Sequence, residues 1–186
     1  LTYGGTLKDG VGGVDGLYGA FGVTLSADGN HAYVAGSGDD AVSWYDRNST
    51  TGALTYGGVL KDGVGGVDGL DGTYRVSLSA DGNHLYATGA ADNSLSWFDR
   101  NSSTGALTYG GTLKDGVGGV DGLAGAWGLT LSAGDNYAYV TGVADEAVSW
   151  FDRNSVTGAL TYGGVLKDDQ GAVDGLVATR NVTLSA

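Results

Sequence analysis

The sequence contains no cysteine, no proline and no methionine. Without cysteine there is no disulfide, no thiolate metal site and no thiol nucleophile. That absence does not report the cellular compartment. Glycine is abundant at 37 residues, but with no proline and no Gly-X-Y period the collagen-like and proline-rich disordered classes are excluded. Positive charge is scarce: 9 Lys plus Arg stand against 21 Asp plus Glu, a formal net charge of −12. A surface this acidic repels phosphate backbones, which argues against nucleic acid and anionic membranes as partners. No apolar run approaches the length of a membrane span, so membrane insertion is not expected. What is present supports a packed core: 41% hydrophobic residues, with 11 Tyr and 4 Trp among 186.

The organising feature is a repeat. LTYGGTLKDGVGGVDGL opens at Leu1, returns with small changes at Leu54 and Leu107, and returns as LTYGGVLKDDQGAVDGL at Leu160, every 53 residues. Near-identical copies at a fixed period of this size indicate a repeat array or a propeller.

Within one period the pattern is that of short strands. Gly22–Ser26 alternates apolar and polar residues, Ala27-Asp28-Gly29-Asn30 is hairpin-turn chemistry, and His31–Ala35 is a second strand. Ala41–Asp46 is a third, placing Val42 and Trp44 on one face and Ser43 and Tyr45 on the other. After the polar loop Arg47–Gly52 comes a fourth strand, Ala53–Leu60, expected to bend at its glycine pair. No segment has a helical period. Four antiparallel strands per period describe a β-propeller blade, with Trp44, Trp97 and Trp150 as wedges between blades. The expected fold is therefore all-β: a propeller-type array of four-stranded antiparallel blades, three full blades plus split terminal strands. Residues 1–186 read as one array, part of a longer chain or assembly.

The run GLYGAFGVTLSADGNHAYVAGSGDDAVSWYDRNSTTGALTYGGVLKDGVGGVDGL resembles the repeats of bacterial lactonase-like β-propeller proteins, above all in its DGVGGVDGL linker. It departs from them at Ala27 and Ala80, where proline is usual in the family. The resemblance implies the same strand order, innermost first, and an extracellular or cell-surface setting. A lactonase-like hydrolase activity is implied by the resemblance alone.

Candidate sites follow from the chemistry of the loops. The linker acids Asp9, Asp15, Asp62 and Asp68 are weak calcium candidates, because the linker lacks the alternating oxygen ligands and terminal Glu of an EF-hand loop. The stronger reading is a turn whose Asp side chains cap backbone amides, with no cofactor. His31 and His84 give way to Tyr137 in the third copy, which points to packing or hydrogen bonding rather than metal ligation. No G-x-S-x-G nucleophile motif occurs. Differences between copies gather at Tyr18, Asp71, Ala124 and Val177, at Phe21, Tyr74, Trp127 and Arg180, and from Ser37, Ala90 and Val143 through Asp40, Asn93 and Glu146. These positions share one face, and Phe21, Tyr74, Trp127 and Arg180 are the candidate binding residues there. Asn48, Asn101 and Asn181 match the N-glycosylation acceptor pattern, which Val156 breaks after Asn154.

Near-identical blades present identical groups around an axis, which suits assembly better than an asymmetric active site. The leading expectation is thus a non-enzymatic structural protein of an extracellular fibre, sheath or adhesin, self-associating through blade stacking and edge strands into oligomers or filaments. A glycan- or ligand-binding propeller is the alternative, and a lactonase-like hydrolase the second alternative.

Overall fold

The structure is a computed structural model that describes residues 4–185. It contains twelve strands in three antiparallel sheets of four. Blade 1 is β1 (Ala20–Leu25), β2 (His31–Gly36), β3 (Ala41–Arg47) and β4 (Leu54–Lys61). Blade 2 is β5 (Thr73–Leu78), β6 (His84–Gly89), β7 (Ser94–Arg100) and β8 (Leu107–Lys114). Blade 3 is β9 (Ala126–Leu131), β10 (Tyr137–Gly142), β11 (Ala147–Arg153) and β12 (Leu160–Lys167). In every sheet the strands lie in chain order, as a propeller blade requires. The expected first strand begins two residues earlier than the alternation showed, at Ala20, because a bulge between Ala20 and Val23 interrupts the period. Of the expected split terminal strands, residues 4–8 and 182–185 are not assigned to a sheet, and residues 1–3 and 186 lie outside the described residues.

The expected facial division of β3 holds. Val42 and Trp44 pack with Tyr33 and Ala35 against Leu70, Val76, Phe98 and Leu107 of the next blade. Tyr45 turns the other way, onto Val14 and Ala32. The interface between blades 2 and 3 repeats the first, with Tyr86, Leu95 and Trp97 meeting Leu123, Leu129, Phe151 and Leu160. Each fully buried Leu or Phe side chain contributes about 1.5–3 kcal/mol by area removed from water.

The linker is more than a turn. Its second valine and final leucine are core residues, with Val67 and Val120 at 4% and 5% exposure and Leu70 and Leu123 fully buried. The glycine before that leucine has φ of 91° at Gly69, and its carbonyl accepts from Ser94 Oγ at 2.7 Å and Ser96 Oγ at 3.2 Å. A side chain at Gly69 would collide with Thr112 and Ser96, so both backbone shape and space demand glycine there.

Polar clamps lock the blades at the end of the sheets where β2 and β6 begin. Arg100, at the end of β7, donates through NH1 to the Gly82 carbonyl at 2.8 Å, through Nε to the Tyr33 hydroxyl, and through NH2 to His31 Nδ1 at 2.8 Å. Tyr33 in turn donates to the Gly105 carbonyl at 3.0 Å. Arg153, Tyr86, Gly158 and His84 repeat the arrangement one blade on. A guanidinium only donates, so each Nδ1 accepts and the imidazole proton resides on Nε2, facing Asp46 or Asp99. His31 and His84 are 5% and 3% exposed, in keeping with the packing role expected of them.

Candidate functional site

The first strand of each blade carries a register break, between Ala20 and Val23, between Thr73 and Arg75, and opposite Val140 and Gly142. Phe21, Tyr74 and Trp127 sit in those breaks. A bulge bends the strand and re-aims its side chain, and the three rings converge although they come from three different blades. Tyr74 stacks on Trp127 with centroids 3.9 Å apart and planes at 11°. Phe21 meets both edge-on, at 5.0 Å and 5.7 Å. Side chains from blades 1 and 3 can touch across blade 2 only where the innermost strands approach a common axis, so the cluster marks the axial mouth.

Two guanidinium groups complete it. Arg180 lies over the Trp127 ring at 4.8 Å and Arg75 over Phe21 at 5.5 Å. Cation–π contacts of this length hold a guanidinium in place while leaving its N–H groups free to meet an anion. The backbone beneath is satisfied by buried threonines: Thr88 Oγ1 donates to the Trp127 carbonyl at 3.1 Å, and Gly128 N donates to Thr141 Oγ1 at 2.8 Å. The structure therefore brings together all four of Phe21, Tyr74, Trp127 and Arg180. Arg75 was not among the candidates, because its copies at Gly22, Gly128 and Asn181 give no cationic pattern.

The loops around the mouth are held by carboxylates and amides. Asp40 Oδ1 accepts from Gly72 N at 2.9 Å and Asn93 Oδ1 from Gly125 N at 2.8 Å, each tying one blade to the next. Asp40, Asn93 and Glu146 all adopt a left-handed backbone, with φ of 51°, 54° and 51°. Asp71 stands three residues before Tyr74, and desolvation followed by the nearby charges of Asp40 and Asp92 raises its carboxyl above the ordinary range. It is the acidic member of a position filled by Tyr18, Ala124 and Val177 elsewhere, which was the only trace of it in the sequence.

The linker acids gather with a third Asp from the 2–3 loop in three equivalent clusters: Asp9, Asp15 and Asp39; Asp62, Asp68 and Asp92; Asp115, Asp121 and Asp145. In each of these a lysine already provides the cation. Lys61 Nζ lies 2.7 Å from Asp15 and 3.3 Å from Asp39, and Lys114 Nζ lies 2.8 Å from Asp68 and 2.9 Å from Asp92. Lys167 does the same for Asp121 and Asp145. Asp9 and Asp62 accept from the Leu17 and Leu70 amides at 3.0 Å and 2.9 Å. In each cluster the lysine ammonium lies against two of the three carboxylates and supplies the positive charge that a calcium ion would bring, while a backbone amide occupies one oxygen of Asp9 and of Asp62.

The asparagine triplets also have a local explanation. Asn48 Oδ1 accepts from Thr50 N and Thr51 N, and Asn101 Oδ1 from Ser103 N and Thr104 N. Asn154, where Val156 breaks the acceptor pattern, makes the same two bonds. Capping the loop accounts for the repeated asparagine without a sugar. Asn181 is exposed in the segment beside Gly128 and caps no loop of this kind.

The family described as "Lactonase, 7-bladed beta-propeller" matches residues 17–167. No curated protein matches the chain. Among solved structures, a Bacteroides uniformis protein assigned as a 6-phosphogluconolactonase superposes with a TM-score of 0.69 at 21% identity, over 87% of this chain and 43% of its own. The periplasmic gluconolactonase PpgL of Pseudomonas aeruginosa gives 0.66 at 22% identity, over 78% of this chain and 39% of its own. This chain thus spans about two fifths of the length of those structures. The match overturns the expectation of a non-enzymatic fibre, sheath or adhesin, and with it the filament, adhesion and glycoprotein character. The symmetry argument behind that expectation failed at the axis, where the blades are not alike: Phe21, Tyr74, Trp127 and Arg180 occupy equivalent positions with different chemistry. By its match over most of its length, this chain belongs to the seven-bladed lactonase β-propeller family.

Proposed function

We propose that the chain forms part of a lactonase-like hydrolase that opens the ring ester of a sugar-acid lactone at the axial mouth. The family match over residues 17–167 carries this reading. The neighbours assigned as a 6-phosphogluconolactonase and a gluconolactonase support the substrate class. The periplasmic neighbour supports an exported location, and no helix is long and apolar enough to cross a membrane among the described residues.

The local chemistry fits such a reaction. Arg75 and Arg180 offer paired N–H donors to a phosphate or carboxylate, and the aromatic cluster gives the sugar ring a flat apolar support. We assign the general base to Asp71, an exposed carboxylate of raised pKa in the loop that leads into β5, three residues before Tyr74. It takes a proton from water as the water oxygen bonds to the lactone carbonyl carbon, the ring C–O bond then breaks, and the alkoxide leaving group takes up the proton.

The test is lactone hydrolysis at constant pH, measured as acid released from gluconolactone and its 6-phosphate above the spontaneous rate. Asp71→Asn is expected to lower kcat by about 10²-fold or more. Arg180→Gln is expected to raise KM for the phosphorylated substrate and to leave kcat nearly unchanged. The Asp71-dependent rate should fall as pH drops through the raised carboxyl pKa, because the protonated acid cannot accept a proton. Turnover equal to the spontaneous rate would refute the hydrolase reading, and an unaffected Asp71→Asn would refute its assigned base.

A further inference from the structure

We propose that the structural unit of this chain is a pair of unlike blades, and that each junction between blades is matched to one blade of either kind. The inference is independent of the hydrolase reading. It begins with an alternation in the sequence. At core positions of the second and third strands, blades 1 and 3 agree with each other and differ from blade 2. Blade 2 has Leu85 where the others have Ala32 and Ala138, Ala87 where they have Val34 and Val140, and Leu95 where they have Val42 and Val148. The pattern returns only at every second period.

These positions meet across the junctions. Val42 of blade 1 shares a core with Leu85 and Ala87 of blade 2. On the other side of blade 2, Leu95 shares a core with Ala138 and Val140 of blade 3. All six side chains are fully buried. Each junction thus combines one leucine, one valine and one alanine, and blade 2 supplies the leucine both times. Two blades of the first kind would bring two valines and an alanine together, which leaves a void. Two of the second kind would bring two leucines and an alanine, which overfills the same space. A close-packed interior resists both.

The alternation reaches the axis. Gly22 of blade 1 lies on the β5 backbone, where a Cβ would stand 2.6 Å from the Tyr74 carbonyl oxygen. Gly128 of blade 3 lies on the segment after β12, where a Cβ would stand 2.9 Å from Asn181 Cα. Blade 2 has Arg75 at the same place. Glycine there lets the first strands of blades 1 and 3 touch the backbone that follows, and a guanidinium from that backbone covers the ring of the preceding blade: Arg75 over Phe21, Arg180 over Trp127. Each pair of blades thereby adds one guanidinium–aromatic contact to the mouth. Thr73 and Thr179 carry the same period, donating to the Leu70 and Leu176 carbonyls where blades 1 and 3 have Ala20 and Ala126. A ring of such pairs closes without a mismatch only with an even number of blades. A seven-bladed ring contains one junction of like with like.

The test is a transplanted junction in the full chain, read by thermal melts. Val42→Leu gives the junction of blades 1 and 2 the two-leucine composition, and Leu85→Ala with Ala87→Val gives it the two-valine composition. Each is expected to lower the melting temperature by about 3 °C or more. Combining all three changes gives this junction the residues of the next one, and should restore the melting temperature to within about 2 °C of the wild type. Gly22→Ala should lower it as well, whereas Arg75→Ala should leave it unchanged. Additive losses in the combined variant, or separate variants that melt like the wild type, would overturn the proposal, because the junctions would then not distinguish the two kinds of blade. A Gly22→Ala variant that melts like the wild type would overturn its axial part.

Discussion

His84 is held neutral by what surrounds it. Burial is the main cause of its lowered pKa, and the Arg153 guanidinium adds to it, against smaller opposing effects of Asp81 and Asp99. In the unfolded chain the imidazole titrates near 6.5. Below that pH the unfolded state binds the proton first, so stability falls as the pH drops from about 6.5 toward the lower folded value. A melting curve recorded between pH 7.5 and 5 should show this loss, and His84→Gln, which keeps an acceptor for Arg153, should flatten that part of the curve. An unchanged slope would show that His84 does not control the clamp. The lysine nodes make a second prediction. Hydrogen bonds to Asp68 and Asp92 raise the Lys114 pKa, and the ammonium is the cation of its cluster. Lys114→Met should cost about 1–2 kcal/mol, between an exposed and a buried pair. Chelator should leave the wild-type melt unchanged, whereas added calcium should raise the melting temperature of the variant. These residue roles were partly legible: hairpin and cap chemistry follow from local sequence, but the partner of each Asp or His lies in another strand or blade.

At the scale of one element, the first strands show how position outweighs sequence. Val23 and Val76 occupy the same place in β1 and β5, yet one is exposed and the other is buried between blades. Val76→Ala should destabilise by about 1–3 kcal/mol through lost burial and a residual cavity. Val23→Ala should stay within about 0.5 kcal/mol. Paired denaturant titrations measure both, and equal effects would mean that the blade 1 face is covered in solution. The strands themselves were legible because alternation has a period of two and the repeat supplies four readings of one pattern. Their bulges were not. A register break depends on the partner strand, and it is the bulge that turns Phe21, Tyr74 and Trp127 toward the axis.

For the whole molecule the dominant long-range term is the net charge of −12. Like charges repel across the folded surface, and the Debye length shrinks from about 30 Å at 0.01 M salt to about 8 Å at 0.15 M. Raising sodium chloride over that range should therefore raise the melting temperature, since the partly buried Lys–Asp nodes are screened less than the exposed acids. A fall on adding salt, seen by calorimetry, would show that the nodes outweigh the repulsion. Stability should also be shared along the array, because each blade buries its apolar faces only against its neighbours.

The repeat, the four strands per period, the facing of Trp44 and Tyr45 and the acidic surface were all determined by the sequence alone. Each follows from local spacing and composition, and the near-identity of the copies made that spacing unmistakable. Tertiary structure decided the rest. It placed Lys61, Lys114 and Lys167 among the aspartates, paired His31 and His84 with arginines one blade away, and gathered three aromatic residues and two arginines at the axis. Those contacts join residues in different strands or blades, so they exist only once the sheets are formed and packed in order.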